Sequence, residues 1–288
     1  MILAEIEANE IISKNLSEMA DVLEQQDADG FRVSAYRRAA ETIGRYPNSV
    51  FCLAIDKGMD GLIALPTVGQ AIASAILEMV QTGHWSQLDR LRGTADPEAL
   101  FRSIAGVGPK LARKIHDELQ IETLEALESA CQNGKLSGLS GIGPRRLMTI
   151  QANLAERLGR RRIKIGYPSI WPSIQILLSV DAEYREKAAQ KKLPRIAPKR
   201  FNPTGDYWLP VLHTERDIWQ FTALYSNTAF AHKLGKTNDW VIIYFHSHSS
   251  QEEQCTVVTE HRGDLKGKRV VRGREGDCLA HYAVNEKK

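Results

Sequence analysis

Three stretches of this chain set a short turn between an apolar residue and a helical run, and in two of them basic residues follow at once. They are Leu65-Pro-Thr-Val-Gly-Gln-Ala-Ile-Ala, Ile104-Ala-Gly-Val-Gly-Pro-Lys-Leu-Ala-Arg-Lys and Leu139-Ser-Gly-Ile-Gly-Pro-Arg-Arg-Leu. The closing glycines Gly69, Gly108 and Gly143 fall 39 and 35 positions apart. The glycines of these turns, Gly69, Gly106, Gly108, Gly141 and Gly143, permit a positive φ and leave no Cβ, so that backbone N–H groups can approach an anion at the start of the following helix. Val107 and Ile142, between the glycines, plug the gap between helices, and Lys110, Arg113, Lys114, Arg145 and Arg146 supply charge. The chemistry is a grip on phosphate that carries no base information. The first copy is weaker: Thr67 replaces the first glycine, and no cation follows until well past Ile76.

A single copy would equally be a helix–helix turn with a glycine cap and a proline opening the next helix. Two copies of Gly-x-Gly-Pro with cations behind them point to nucleic acid. These are helix–hairpin–helix units, with DNA as the expected partner and RNA left open.

The elements that position the units are helical. Residues 2–26 repeat apolar positions at helical spacing, Asp29-Gly30 breaks the run, and Phe31 to Ile43 resumes it. Further helices are expected over Val50–Lys57, up to about Gln81 after the first hairpin, and over Ile121–Cys131, whose acids keep that face off DNA. After Gly159 the composition changes. Ile174 to Val180 reads as a strand and Asp181 to Lys192 as a polar helix. Trp208–His213, Trp219–Tyr225, Trp240–Phe245, Gln254–Thr259 and Arg269–Val271 read as strands, interrupted by a short helix over Thr228–Leu234. The expected fold is an all-α half with tandem hairpins followed by an α+β domain on a largely antiparallel sheet. The expected division is 1–92, 93–158, a basic Pro-containing connector over 159–205, and 206–288.

Net charge is only +3, so a basic surface must come from clustering. Residues 1–30 carry eight acids against Lys14, whereas residues 160–200 carry eleven basic residues against three acids. The four cysteines have no short spacing and read as reduced thiols. A site from Cys255, His261, Cys278 and His281 has the count but not the spacing of a zinc ligand set. No signal-peptide pattern and no membrane-length apolar run is present, so the expected location is cytoplasmic.

The first ~155 residues resemble the N-terminal part of the family X DNA polymerases, of which polymerase beta is the familiar member. The text that carries the resemblance is Phe31-Arg-Val-Ser-Ala-Tyr-Arg-Arg-Ala-Ala-Glu-Thr-Ile, then Leu65-Pro-Thr-Val-Gly, then Gly106-Val-Gly-Pro-Lys-Leu-Ala-Arg-Lys. The unit after Gly134-Lys-Leu is similar to the extra hairpin of bacterial members. The resemblance implies a grip on both sides of a DNA gap, with Tyr36, Arg37 and Arg38 at pocket and phosphate positions. It also implies a monovalent cation as the one candidate cofactor, at the hairpins. Two departures matter. The family's imine-forming lysine falls on Ala75 and a second pocket lysine on Ala71, and alanine cannot form an imine. After residue 150 there is no Gly-Ser and no Asp-x-Asp, so the paired-metal carboxylates of a polymerase are missing, and Asp181, Asp206, Asp217, Asp239, Asp264 and Asp277 stand alone.

The second half resembles domains of bacterial proteins described only as DNA-binding or helix–hairpin–helix proteins. His213, Thr214, Glu215 and His232 fall near element ends, where capping or surface roles compete with catalysis. The aromatics Tyr207, Trp208, Trp219, Tyr225, Trp240 and Tyr244 read as the core face of a sheet, with base stacking as the alternative. The reading reached is a structure-selective DNA-binding protein for gaps, nicks or ends, serving repair without polymerase activity. The alternative is a repair enzyme with residual abasic-site or 5′-deoxyribose-phosphate lyase activity or C-terminal nuclease activity.

Overall fold

The computed structural model describes residues 2–157, 171–247 and 252–285. Helices α1 (Ile2–Gln25), α2 (Gly30–Gly44), α3 (Val50–Ile63), α4 (Gln70–Thr82) and α5 (Ser86–Leu91) form the first unit. Its core is the periodic set anticipated from sequence, with Leu16, Met19, Leu23, Ile43, Leu62 and Ile76 fully buried. Asp29 caps α2 by accepting from the N–H groups of Phe31 and Arg32. Helix α3 runs six residues beyond the expected Lys57, across a kink at Gly58.

Helices α6 (Pro97–Arg102), α7 (Pro109–Leu119), α8 (Leu124–Gln132) and α9 (Pro144–Arg157) form the second unit around Phe101, Ile104, Ile115, Leu127 and Leu154. Then come α10 (Ile174–Ala189), β1 (Arg195–Ile196), β2 (Leu209–Arg216), β3 (Trp219–Tyr225), α11 (Ala229–Lys233), β4 (Val241–Ser247), β5 (Glu253–Thr259), β6 (Arg269–Val271) and α12 (Glu275–Asn285). The strands form one antiparallel sheet in chain order.

The expected strand over Ile174–Val180 is instead the first half of α10. Its β-branched residues mimic a strand, but Ile174, Leu177, Val180, Asp181 and Tyr184 recur at three- and four-residue spacing and make the buried face. Ser173 caps it by accepting from the Ile176 N–H. Residues 174–189 and 195–196 therefore belong to the sheet domain, where a basic connector was expected. Its basic residues 160–164 lie outside the described residues. Helix α12, unanticipated, packs beside α10 and β6.

Both faces of the sheet are covered. Leu212, Phe221, Ile243, Phe245 and Val257 pack against α10, while Leu209, Val211, Leu224, Ile242 and Tyr244 join the core of the first helical unit. Polar contacts stitch the same seam. Arg90, almost fully buried, lies 3.4 Å from the Tyr244 ring centroid and donates to both Glu252 oxygens, at 2.8 and 3.4 Å. Burial works against its charge, but Glu252 and Tyr244 hold its pKa above the usual arginine value. Tyr244 donates to Glu122 at 2.6 Å, and Gln254 donates to the Gln120 carbonyl at 2.6 Å. His213 meets Gln26 Oε1 at 2.9 Å and Thr222 Oγ1 at 3.1 Å.

Two outcomes follow from this seam. Glu252→Ala leaves a buried cation and should destabilise the full chain by about 3 kcal/mol in denaturant unfolding. Arg90→Met added to it should recover part of the loss, and additive losses would mean that the pair is not coupled. Burial, followed by the charges of Arg32 and Arg90, pushes His213 well below the ordinary 6.5, so it is neutral in the fold. The unfolded chain takes up that proton below about 6.5, so the stability is present above that pH and lost as pH falls, by at most ~1.4 kcal/mol per pH unit. His213→Gln should remove this component from unfolding curves compared between about pH 7 and pH 5; an unchanged slope would assign it elsewhere.

Candidate nucleic-acid interface

The three hairpins share one backbone geometry. Within each turn, Val68 donates to Leu65, Val107 to Ile104 and Ile142 to Leu139, at 3.0–3.3 Å. Each following helix opens with a bond to the closing glycine: Ala73 to Gly69, Ala112 to Gly108 and Leu147 to Gly143, at 2.9–3.0 Å. The positive φ falls on Thr67 (65°), Gly106 (90°) and Gly141 (99°). The first hairpin thus keeps its shape despite a β-branched residue in a region that costs about 1–3 kcal/mol, with Thr67 braced by its hydroxyl contact to Thr42 at 2.8 Å. Val68 and Val107 are buried plugs and Ile142 a partly buried one.

At Gly108 the backbone is extended (φ −85°, ψ 174°), and no side chain caps α7. A Cβ placed at Gly69, Gly108 or Gly143 would meet nothing within 4 Å. The space beside each closing glycine is therefore open, as the approach of an anion to a helix start needs.

The second and third hairpins brace each other. Lys114 donates to the carbonyl and hydroxyl of Ser140, in the third turn. In return Asn153 of α9 accepts from the Ala105 N–H at 3.1 Å, in the second turn, and Arg146 donates to the Gly141 carbonyl at 2.6 Å. Lys110, Arg113, Arg145 and Arg146 are exposed, and Arg113 stands 3.6 Å from Glu98. Lys110, Arg113, Arg145 and Arg146 thus lie on one pair of hairpins joined by these hydrogen bonds.

The first unit departs from expectation. Tyr36 is buried, its ring 5.7 Å from Trp85 and its hydroxyl 3.4 Å from Gln87, and burial raises its pKa. Arg37 and Arg38 are both exposed, and Arg37 pairs with Glu24 at 2.6 Å and Asp21 at 3.6 Å. Tyr36, Ala71 and Ala75 line a crevice of only about 40 Å³, roofed by His246 and Glu252 of the sheet domain. That volume suits water rather than a sugar phosphate.

The carboxylates expected to stand alone do not all do so. Asp181, fully buried, and Asp239 both clasp Arg269, at 2.6 and 2.5 Å. Burial tends to raise Asp239, but the Thr259 hydroxyl and Arg269 hold it below its usual value. Both carboxylates are committed to this arginine, and it joins α10 to β6. Glu98, His116 and Asp117 bring ligand atoms within 4.8 Å of one another, a grouping sequence reading missed. Arg200 occupies it, 2.7 Å from Glu98 and 3.5 Å from Asp117, and also meets His116.

The other candidates scatter. Thr214 and Arg216 bind Glu183, His232 meets Asn227, and Cys255 and Cys278 are buried thiols whose pKa burial raises. Cys255, His261, Cys278 and His281 form no ligand group among the described residues. Of the basic residues of the sheet domain, Arg216, Lys236, Arg269, Arg272 and Arg274 all have acidic partners. Trp219 and Tyr244 are core residues as expected, whereas Tyr207 is exposed. No helix among the described residues is long and apolar enough to cross a membrane.

Gly108→Val and Gly143→Val should leave stability within about 1 kcal/mol, because a Cβ there has room, yet weaken DNA binding at least about tenfold by blocking phosphate from the N–H groups. Gly106→Ala, at φ 90°, should instead lower thermal stability. Undiminished binding by the two folded valine variants would remove these hairpins from the grip.

Known families agree with this geometry. Residues 7–85 match the model of a helix-hairpin-helix domain, and residues 98–156 match that of a SAM-like helix-hairpin-helix tandem. The chain is 31% identical over 160 residues to the "DNA polymerase/3'-5' exonuclease PolX" of Bacillus subtilis (strain 168), a match covering 54% of this chain. The chain spans only 27% of that relative's length. The N-terminal half of this protein thus carries two regions that match helix-hairpin-helix models and is similar to part of a family X DNA polymerase.

Proposed function

We propose that this protein holds DNA by its backbone at interruptions, as gaps, nicks or ends, in the service of repair, and does not itself polymerise. The observation that carries this reading is the mutual bracing of the second and third hairpins, which fixes two open helix starts and their cations in one rigid frame. Contacts of this kind are sequence-blind, because N–H groups and cations meet phosphate and not base edges. A rigid frame prefers DNA whose path already fits it, and an interrupted strand bends at less cost than continuous duplex.

The relative's printed name joins polymerase and exonuclease activities, but the match covers a minor part of it. Here Asp181 and Asp239 are already committed to Arg269. The position that would carry an imine-forming lysine is Ala75, in a crevice too small for the sugar. These features support a binding role in the part of the molecule where chemistry was sought. A monovalent cation at the hairpin turns is part of the proposal.

Equilibrium binding to matched single-stranded, duplex, nicked and gapped DNA across a salt series tests it. Engagement of about three to five phosphates predicts a slope of log K against log salt of roughly −3 to −5, with the gapped or nicked form bound tightest. Equal affinity for all four forms would overturn the structural preference. A flat salt response would overturn the backbone grip.

A further inference from the structure

The loop between β1 and β2 holds aromatic rings at the surface. Asn202 closes it, donating to the Asp206 carbonyl at 2.9 Å and accepting from the Asp206 N–H at 3.1 Å. The closure sets Phe201 and Tyr207 at the two feet of the loop. Phe201 has a φ of 54°, a left-handed conformation that a bulky residue rarely adopts. Glycine or asparagine would hold this backbone at lower cost. Phe201 is nonetheless 47% exposed, so burial does not offset the strain. Its ring packs 4.6 Å from that of His232, exposed on α11, and Trp208 meets the same imidazole at 6.3 Å. Tyr207 is 72% exposed, and its side chain has no partner among the described residues.

The rings are anchored to the hairpin unit. Asn227 donates to the Arg200 carbonyl at 3.1 Å, and its side-chain oxygen meets His232 Nε2 at 2.6 Å. The Arg200 side chain reaches Glu98 of α6 at 2.7 Å and Asp117 of α7 at 3.5 Å. Glu98 also stands 3.6 Å from Arg113, one of the cations behind the second hairpin. One carboxylate thus lies between a cation of that hairpin and the anchor of the aromatic loop. Lys199 and Lys233, which precede Arg200 and follow His232 in the chain, are exposed and have no acidic partner among the described residues. The loop's own acid, Asp206, accepts from the Thr204 hydroxyl at 2.6 Å.

Apolar side chains scattered singly over a surface need no explanation. Rings tied together beside unpartnered cations are different, because they match planar groups alternating with negative charge. A single strand has that alternation, whereas a duplex hides its base faces in the stack. We infer that Phe201 and Tyr207 form a stacking platform for unpaired DNA bases, with Lys199 and Lys233 at the phosphates between them. The platform receives the single-stranded part of a gap or end whose backbone the second hairpin holds. The inference rests on the DNA-binding function proposed above and adds to it a site in the sheet domain that meets base faces. Every base has such a face, so the platform leaves the protein indifferent to sequence.

Equilibrium binding of the full chain to three matched DNAs tests the assignment. One is nicked, one has an unpaired thymine tract of about five nucleotides, and in the third that tract keeps its sugar phosphates but lacks its bases. The thymine gap should bind at least about fivefold tighter than the baseless gap. Tyr207→Ala and Phe201→Ala should each remove most of that preference and leave the nicked and baseless forms within about twofold. Tyr207→Phe, which keeps the ring, should retain it. Equal affinity for the two gaps would overturn the platform and leave the backbone grip standing. So would a preference that survives Tyr207→Ala, a change at an exposed residue that is readable even if Phe201→Ala fails to fold. Absence of salt-dependent binding to all three DNAs would overturn the proposed function and this inference with it.

Discussion

Every residue of β4 from Val241 to Ser247 is buried, so the sheet has two dry faces and must be covered on both. An antiparallel sheet commonly leaves one face to water. Here the second face is closed by the helical half, and Ile242 and Tyr244 are as much part of the N-terminal core as Leu16 or Ile76. The two halves therefore share a core. The hairpin array is mounted on the sheet domain, not tethered to it.

Apolar burial alone would tolerate sliding along such a seam, because it is non-directional. The polar contacts across it are directional and give it a register. Arg90 must find Glu252 and the Tyr244 ring together, and Tyr244 must also reach Glu122 in the second helical unit. One tyrosine and one arginine thus tie three parts of the chain: the end of the first helical unit, the start of α8 and the centre of the sheet. Arg200 adds a further tie, from the segment after β1 to α6 and α7 through Glu98 and Asp117. Such buried charges add little net stability relative to apolar substitutes, and their effect is to penalise every other alignment.

The hairpins were legible because their information is local. A Gly-x-Gly-Pro turn declares its φ, its plug and its cations within ten residues, and the structure places Val107, Gly108, Lys110 and Arg113 accordingly. Strand positions were legible for the same reason, since alternation over five to seven residues survives without knowledge of partners. The misreadings share the opposite property. Ile174–Val180 mimics a strand in composition, and only the sheet it covers makes the helical spacing decisive. Tyr36 was placed by resemblance among pocket and phosphate positions, and it does line the crevice, but its burial comes from Trp85 and from a roof contributed more than two hundred residues later. Asp181 and Asp239 looked solitary because nothing in their spacing announces Arg269 as a shared partner.

The contrast among the hairpins carries the last step. The first keeps the turn geometry at the expense of a positive φ on Thr67, a strain that a purely decorative loop would relax. No cation follows it within helix α4, whose Ile72, Ala73, Ala75, Ile76 and Leu77 are buried. A grip needs charge, whereas a stop or guide needs only shape and an open helix start. The first hairpin has both of these, since nothing lies within 4 Å of a Cβ at Gly69. The physical division is therefore between a cationic, mutually braced pair that can hold a backbone and a neutral hairpin held at a set position by the shared core. A charged array could bind any duplex. Under the function proposed above, a charged pair beside a fixed first hairpin without cations of its own would discriminate by geometry, because a DNA that fails to reach the first hairpin would lose those N–H contacts with no compensating attraction.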